Sequence, residues 1–506
     1  MNEETISAIA TAAGAAGVSI IRLSGEDSIA IAEKNFRKLE HLDGEKIFAS
    51  EGEILNEETI SAIATATGAA GVGIIRLSGE DSIVIAEKIF DRLLTQVRHG
   101  KIIFGHVKNF SGAIIDEAIA LVMRAPKSYT RENVVELQCH GGSVVLREVL
   151  KLTWEAGARP AERGEFTKRA FLNGRLDLTQ AQAVLDVIQA KTSAALTVAQ
   201  NQLAGKTSKT IGEIRRAILN SVAHIEATID FPEDDLDAVT LTAVSKNISA
   251  QIFKLNELLK NQAEGKILRE GLETAIIGKP NVGKSSLLNF FAKTERAIVT
   301  DIPGTTRDSL EEFVNVGGIP LKIIDTAGIR NSGDAVEKIG IARAKECAAR
   351  AELILALFDG SRPLDDEDEE IFKLLTDRNA LILLTKTDLP HVTTADLLAK
   401  KFPAARVIEI SLKSEAGTDE LLKAITERVG VIDFEMSFVR DEREANLLRE
   451  AVKHLHEAQE TIQLNVGLDF VSIDLRAALE CLSEVTGESV GEDVLNEIFS
   501  KFCVGK

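Results

Sequence analysis

Cysteine is scarce in this chain of 506 residues, which has four. Cys139, Cys347, Cys481 and Cys503 are well separated and match no metal-ligand spacing. A zinc ribbon and a disulfide scaffold are therefore excluded, and a reducing cytoplasm is the expected setting. Long apolar runs are missing too. Nothing approaches the roughly eighteen consecutive apolar residues that a membrane-spanning helix needs, so no membrane association is expected. The start, Met1-Asn2-Glu3-Glu4, is acidic and unlike a secretory signal. Positive charge is in deficit: 59 Lys and Arg face 78 Asp and Glu, for a net charge of −19. That balance argues against broad nonspecific binding to nucleic acid, so any RNA contact must use a local basic patch or a partner protein. The acidic runs Glu233-Asp234-Asp235 and 365–370 are expected to be solvated loops. Proline is absent between Pro160 and Pro232 and after Pro403. Both stretches carry helical periodicity, with Leu185, Val187, Ile188, Ile214, Ile218 and Val222 in the first, and Ala451, Leu455, Ala458, Leu475, Ala478 and Leu479 in the second. Amphipathic spacing without breakers predicts long helices.

What is present is a phosphate-binding signature. Residues 278–285 read Gly-Lys-Pro-Asn-Val-Gly-Lys-Ser, a full match to G-x-x-x-x-G-K-[ST]. An apolar strand is predicted before it and a helix after it. That context matters, because backbone N–H groups at the helix N-terminus must converge on phosphate. Asn281, Val282, Gly283, Lys284, Ser285 and Ser286 are expected to line the site. Lys284 would reach the β- and γ-phosphates, and the Ser285 hydroxyl would bind magnesium.

The downstream segments select GTP as the nucleotide. Asp325, Thr326, Ala327 and Gly328 follow an apolar run. A carboxylate there can hold magnesium through water, and the Gly328 backbone can meet the γ-phosphate. Between this segment and the P-loop lie Thr300, Asp301, Ile302, Pro303, Gly304, Thr305 and Thr306. Small hydroxyl residues suit a loop that orders around γ-phosphate and magnesium, with Thr306 as the second magnesium ligand. Thr385-Lys386-Thr387-Asp388 follows another apolar run. Asp388 can accept both guanine N1–H and N2–H, and a wrong base would leave it unpaired. Thr385 stands where Asn is usual, and a weaker tie between this loop and the P-loop is expected. Ser411 falls where the last base-contacting loop belongs. Position 329 is Ile, which cannot orient water as Gln does in many GTPases. Hydrolysis must then draw on another residue, and Asp334 and Glu337 are nearby.

The whole pattern resembles the MnmE (TrmE) family of tRNA modification GTPases. Besides the GTPase motifs, the resemblance rests on the terminal Phe502-Cys503-Val504-Gly505-Lys506, on residues 164–177 (Gly-Glu-Phe-Thr-Lys-Arg-Ala-Phe-Leu-Asn-Gly-Arg-Leu-Asp) and on Glu136-Leu137-Gln138-Cys139-His140-Gly141-Gly142. It covers roughly residues 55–506. The resemblance implies GTP hydrolysis with Mg2+ and with K+ beside the nucleotide, held by the Asn281 side chain and by Thr300, Ile302 and Thr305. A cation so placed would act as an arginine finger does, worth on the order of 10³–10⁵ in rate, or about 4–7 kcal/mol. It also implies Glu337 as the catalytic residue that orients water. It further implies a homodimer, a heterotetramer with an MnmG (GidA)-type FAD protein, and modification of the wobble uridine of tRNA at carbon 5. A tetrahydrofolate derivative would supply the carbon, with folate contacts at Arg76, Glu136 and Arg175 and with Lys506 near the same site. Taken alone, Arg76 reads as a strand-end surface charge and Glu136 as a satisfied sheet residue. Cys503 is a candidate nucleophile, though a C-terminal cysteine can simply pack.

The expected fold is multidomain α/β and α+β. It comprises an N-terminal α+β folate-binding domain (55–173), a discontinuous helical domain (174–270 and 432–506) and an inserted Ras-like P-loop GTPase domain (271–431), with hinges near Glu264-Gly265 and Gly430. Residues 1–54 are set apart. Residues 2–34 recur as 56–88, differing only at Ala13/Thr67, Ser19/Gly73 and Ala30/Val84. Two copies make no solenoid, which needs about three or more repeats. The second copy runs on into a complete domain and is expected to occupy the fold. Arg22 duplicates Arg76, so a second folate half-site is conceivable. The competing function is a GTP-gated RNA or ribosome-assembly binding protein without modification activity. A third reading is a degenerate relative that binds folate and dimerises only.

Overall fold

The computed structural model describes residues 6–9, 21–24, 58–66, 68–230, 237–294, 312–324, 345–403, 405–430, 437–464 and 467–506. The chain divides into two compact units. Of the described residues, one unit holds those up to Ile188 together with Thr486–Lys506, and the other holds those between Gln189 and Val485. Residues 174–188 and 486–506, expected with the helical domain, thus group with the N-terminal region.

The first unit is α+β. Strands β1 (Ile6–Ile9) and β2 (Ile21–Ser24) form a two-stranded antiparallel sheet. Strands β3 (Ile60–Ile63), β4 (Ala70–Ser78), β5 (Lys101–Lys108), β6 (Ile114–Met123), β7 (Val134–Gly141) and β8 (Arg159–Pro160) form a six-stranded sheet in the order β5-β6-β7-β4-β3-β8. The two sequence copies repeat one register: Ile6 pairs with Ser24 as Ile60 pairs with Ser78. It is the second copy that joins the large sheet. Gly73 gives a physical reason. A Cβ there would lie 2.4 Å from Leu146 Cδ1 in the helix Ser143–Glu155. The first copy carries Ser19 at the matching position, and its side chain would overlap that leucine.

Strand alternation decides what each face of this sheet holds. Ile75, Leu77, Val135 and Leu137 pack with Leu146 and Val149 in the main core. Arg76 and Glu136 fall between them in sequence, are register partners, and so face the other way. There they meet a small core of Ile60, Ala62, Ala161 and Phe166, against which Tyr129 packs.

The second unit contains a parallel-type sheet and a helical core. Strands β9 (Leu272–Gly278), β10 (Glu312–Val316), β11 (Ile319–Ile324), β12 (Leu353–Asp359), β13 (Ala380–Thr385) and β14 (Arg406–Glu409) are ordered β10-β11-β9-β12-β13-β14. Only β10 is antiparallel to its neighbour. Every residue of β12 and β13 is buried, as strands covered on both faces require, and this explains their unbroken apolar sequences. The two proline-free stretches form long helices, among them Lys206–Asp230 and Glu442–Leu464, and a further long helix, Asp237–Lys260, follows Pro232. Their apolar stripes share one core that includes Ile214, Ile218, Val222, Leu455 and Leu475.

One expected hinge is corrected. Gly265 is buried inside the helix Gln262–Glu270, where a Cβ would lie 3.1 Å from Phe438 Cβ. The chain turns instead at Gly271, whose φ is +86°. Gly430, with φ +92°, does end the helix Thr418–Val429.

Candidate functional site

The P-loop follows β9 and leads into the helix Lys284–Thr294. It therefore opens at the carboxyl ends of parallel strands, where crevices of such sheets bind ligands. Asn281 holds a left-handed backbone (φ +63°) with its side chain exposed, and Ser285 and Ser286 are exposed at the helix start. Lys284 Nζ donates to the carbonyls of Gly278 and Lys279. Desolvation lowers its ammonium to about 8, so a bound polyanion would favour the charged form. Val282 is buried beneath the loop.

The sequence underrated the support behind this loop. Lys279 Nζ contacts Asp365 Oδ2 at 2.7 Å and Asp368 Oδ2 at 2.6 Å. Residues 365–370 are thus no solvated loop. Asp365 is the N-cap of the helix Asp366–Leu375 in a complete capping box, and Asp368 is buried. The acidic first turn suits the positive end of a helix, and the carboxylates of the N-cap Asp365 and of Asp368 fasten Lys279.

The base-side loop is also tied in. The Thr385 hydroxyl lies 2.7 Å from Val282 O and 3.1 Å from Phe358 O. It has one proton to donate, and the shorter contact joins it to the P-loop. The expected weakening at Thr385 is therefore not seen: a hydroxyl spans the gap. Lys386, with φ +61°, donates to Asp359 Oδ2 at 2.6 Å. Burial opposes the Asp359 carboxylate, but hydrogen bonds from Lys386 and Ser361 outweigh it and hold it below its ordinary range. Asp388 is exposed and accepts from Ser411 Oγ at 2.8 Å. That bond orients the carboxylate and joins the two base-side loops. Thr300, Asp301, Ile302, Pro303, Gly304, Thr305, Thr306, Asp325, Thr326, Ala327, Gly328 and Glu337 lie outside the described residues.

In the first unit, the four residues expected around a folate come together. Arg76 Nε donates to Glu136 Oε1 at 2.9 Å, and its second nitrogen lies 2.8 Å from the same oxygen. Among the described residues, both Arg76 contacts fall on Glu136 Oε1 and not on Oε2. Three cations surround one phenol ring: Arg76, Arg175 and Lys506 lie 5.4, 4.7 and 5.6 Å from the Tyr129 centroid. Such contacts stabilise by about 0.5–2 kcal/mol each. The Tyr129 hydroxyl bonds to Thr167 Oγ1 at 2.9 Å. Sequence reasoning missed Tyr129, and the available signal was that it is the only tyrosine in the chain.

The C-terminal segment reaches this ring because glycine lets it. Gly505 has φ +94°, and a Cβ there would lie 2.2 Å from Ile63 O. Buried Phe502 anchors the segment, Gly164 N–H donates to Cys503 O, and Phe166 N–H donates to Lys506 O at 3.2 Å. Burial brings the Lys506 ammonium down to about 8. Repulsion from Arg76 and Arg175 acts in the same direction, against attraction from Glu136 and Cys503. Cys503 itself is exposed. Among residues 6–9 and 21–24 only the backbone is described, so the Arg22 side chain lies outside the account.

The model of the MnmE helical domain matches residues 178–503, and that of the GTP-binding protein TrmE N-terminus matches residues 59–175. Neither reaches the first sequence copy. The tRNA modification GTPase MnmE of Bacillus mycoides (strain KBAB4) is 46% identical over 455 residues, covering 89% of this chain and 99% of that protein. The protein of the same name from Desulforamulus reducens (strain ATCC BAA-1160 / DSM 100696 / MI-1) is 46% identical over 459 residues, covering 89% and 100%. Among solved structures, the FeoB G-domain from Methanococcus jannaschii is 26% identical, covers 31% of this chain and 97% of its own, and has a TM-score of 0.23. On the extent of these matches, the chain belongs to the MnmE family of tRNA modification GTPases.

Proposed function

We propose that this GTPase couples potassium-stimulated GTP hydrolysis to carbon-5 modification of the tRNA wobble uridine, of the aminomethyl or carboxymethylaminomethyl type. It does so in the cytoplasm with a flavin-dependent MnmG (GidA)-type partner and a tetrahydrofolate one-carbon donor. The supporting observation is the meeting of Arg76, Glu136, Arg175 and Lys506 around Tyr129, a set suited to one ligand with an amide edge, a flat ring and carboxylates. Glu136 Oε2 would accept from the pterin edge, Tyr129 would offer a ring face, and the cations would meet the anionic end. Bound there, the folate supplies the carbon. Cys503 is the candidate nucleophile on the same C-terminal segment.

At the nucleotide, Lys284 and the main-chain amides of residues 281–286 grip the phosphates. Asp325, Thr326, Ala327 and Gly328 contact the γ-phosphate side. Asp388, positioned by Ser411 and flanked by Thr385 and Lys386, reads guanine. Ser285 and Thr306 would hold Mg2+. Asn281, Thr300, Ile302 and Thr305 would hold K+, which adds positive charge where the transferring phosphoryl group becomes more negative. The exposed Asn281 side chain, within the phosphate loop on a left-handed backbone, fits that ligand set. Glu337 would orient the attacking water.

A homodimer is supported by the sheet face that carries Arg76. Across it, Glu136 pairs with Leu121 and Leu121 with Ile102. Ile102 is 66% exposed and Phe104 59%, an apolar surface of the kind a second copy covers. Among the described residues no helix is long and apolar enough to cross a membrane. The test is mass spectrometry of wobble uridines from a deletion strain complemented with this chain. Restored carbon-5 modification is expected. Unmodified uridine beside normal GTP hydrolysis would favour the RNA-binding or ribosome-assembly alternative.

A further inference from the structure

Beyond the four residues around Tyr129, the first unit has a cleft of about 510 Å³ lined by Met123, Pro126, Lys127, Ser128, Tyr129, Arg131 and Arg175. It is open to solvent rather than enclosed, which suits a flexible chain and not a buried ring. Its charge is unusual for a chain of net −19: the lining has three cations and no carboxylate. The nearby acids are engaged elsewhere. Glu132 takes Arg169 at 3.1 Å and Ser78 at 2.6 Å. Glu136 takes Arg76, and Asp177 accepts from Thr179 and Gln180. Arg131 spends one nitrogen on Asn173 O at 3.0 Å, and neither Lys127 nor Arg175 has an ion pair among the described residues. Desolvation lowers the Arg175 guanidinium. Arg131 and Arg76 push it the same way, against the attraction of Tyr129. Like charges are thus gathered without a counter-charge, an arrangement that an anionic ligand would relieve.

We propose that this cleft is a subsite for the γ-linked glutamate tail of a polyglutamylated folate, with Lys127 and Arg131 binding carboxylates beyond the first glutamate. The inference rests on the folate reading of the Tyr129 site. Arg175 is common to both: it stacks on Tyr129 and lines the cleft. A ligand whose ring lies at Tyr129 can therefore extend its anionic end into the cleft, past Arg175. Each added γ-glutamyl residue brings one more carboxylate, and Lys127 and Arg131, both exposed, offer one cation each. The subsite selects for chain length and not for the pterin.

The test is calorimetric titration of the full chain with tetrahydrofolate monoglutamate and tetraglutamate at low salt. The tetraglutamate is expected to bind about five- to tenfold tighter, the scale of two exposed charge pairs, and the preference should shrink as salt screens it. In Lys127→Ala/Arg131→Gln, and in the single surface reversal Lys127→Glu, the preference should collapse toward one. Equal affinity of the unaltered chain for both ligands overturns the tail subsite and leaves the folate reading standing. A preference that survives the substitutions also overturns it. Failure to bind either folate overturns the folate reading itself. If the variants lose tRNA affinity while the glutamate preference is unchanged, the cleft serves nucleic acid and the inference is wrong.

Discussion

The two candidate sites of this chain are built in opposite ways. The nucleotide cradle is mostly main chain: eight consecutive residues, 278–285, carry it between one strand and one helix. The Tyr129 site is almost entirely side chain, assembled from β4, β7, the segment around residue 129, the start of the helical region at Arg175, and the C-terminus. Each contains a lysine lowered to about 8, but for different reasons. Lys284 is lowered by desolvation alone, whereas Lys506 is lowered by desolvation and by two neighbouring arginines. A backbone site is specified locally and tolerates change around it. A side-chain site depends on strand register and on charge balance over the whole unit.

The largest effect that separates the sites is expected from Lys284→Ala. It removes the side-chain cation assigned to the phosphates, while Lys279 stays tied to Asp365 and Asp368, and should lower GTP hydrolysis by about 10²–10³-fold, the scale of one preorganised electrostatic donor. Folate affinity, measured on the same sample, should not change. A parallel fall in both would show that the sites are not separate.

Arg76→Ala should do the converse. It leaves the Glu136 carboxylate buried without its partner, and breaking a buried pair costs about 3–5 kcal/mol. Thermal unfolding should therefore drop, and folate binding should be lost. The double variant Arg76→Ala/Glu136→Gln should recover much of the stability but none of the binding, because the stranded charge is gone while the ligand contacts are not restored.

The two lysines then give a pH comparison. Both free sites hold a group half-protonated near pH 8 that an anion prefers charged. Binding takes up a proton, so affinity for either ligand should fall as pH rises through about 8 and be flat well below it. Arg175→Gln removes one of the two repulsive neighbours of Lys506. It should move the folate midpoint upward and leave the GTP midpoint in place. An equal shift in both titrations would remove the arginines as the cause at Lys506.

The smallest effects belong to the duplicated segment. Deleting residues 2–54 should leave GTP hydrolysis and folate affinity intact, because the second copy supplies the sheet. Placing the first copy's residue into the second, as Gly73→Ser, should destabilise the first unit by about 1–3 kcal/mol, the usual cost of overpacking, since Leu146 occupies that space.

How far each site can be read from the sequence follows from how it is built. The P-loop motif and its flanking strand and helix are contiguous, so residue types at fixed spacing suffice. The long helices of the second unit were legible from periodicity without proline. Arg76 and Glu136 are sixty residues apart, and nothing in either segment alone says that they are register partners. Only family resemblance brings them together. Tyr129 is not legible in the sequence, because what marks it is the cations of three segments that encircle its ring. Residues 365–370 misled for a related reason: acidic composition reads as solvated, whereas here two of the carboxylates serve Lys279 and one caps a helix. Thr385 shows the limit of motif spelling, since a departure from the usual Asn predicts a weaker tie to the P-loop, yet its hydroxyl bonds to Val282.

The most direct measurement is calorimetric binding of GTP and of ATP to the full-length folded chain in magnesium and potassium buffer. If Asp388, held by Ser411, reads the purine, GTP should bind at least about 100-fold more tightly, as expected of a site that leaves a carboxylate unpaired against the wrong base. Equal affinities for the two nucleotides would contradict the account.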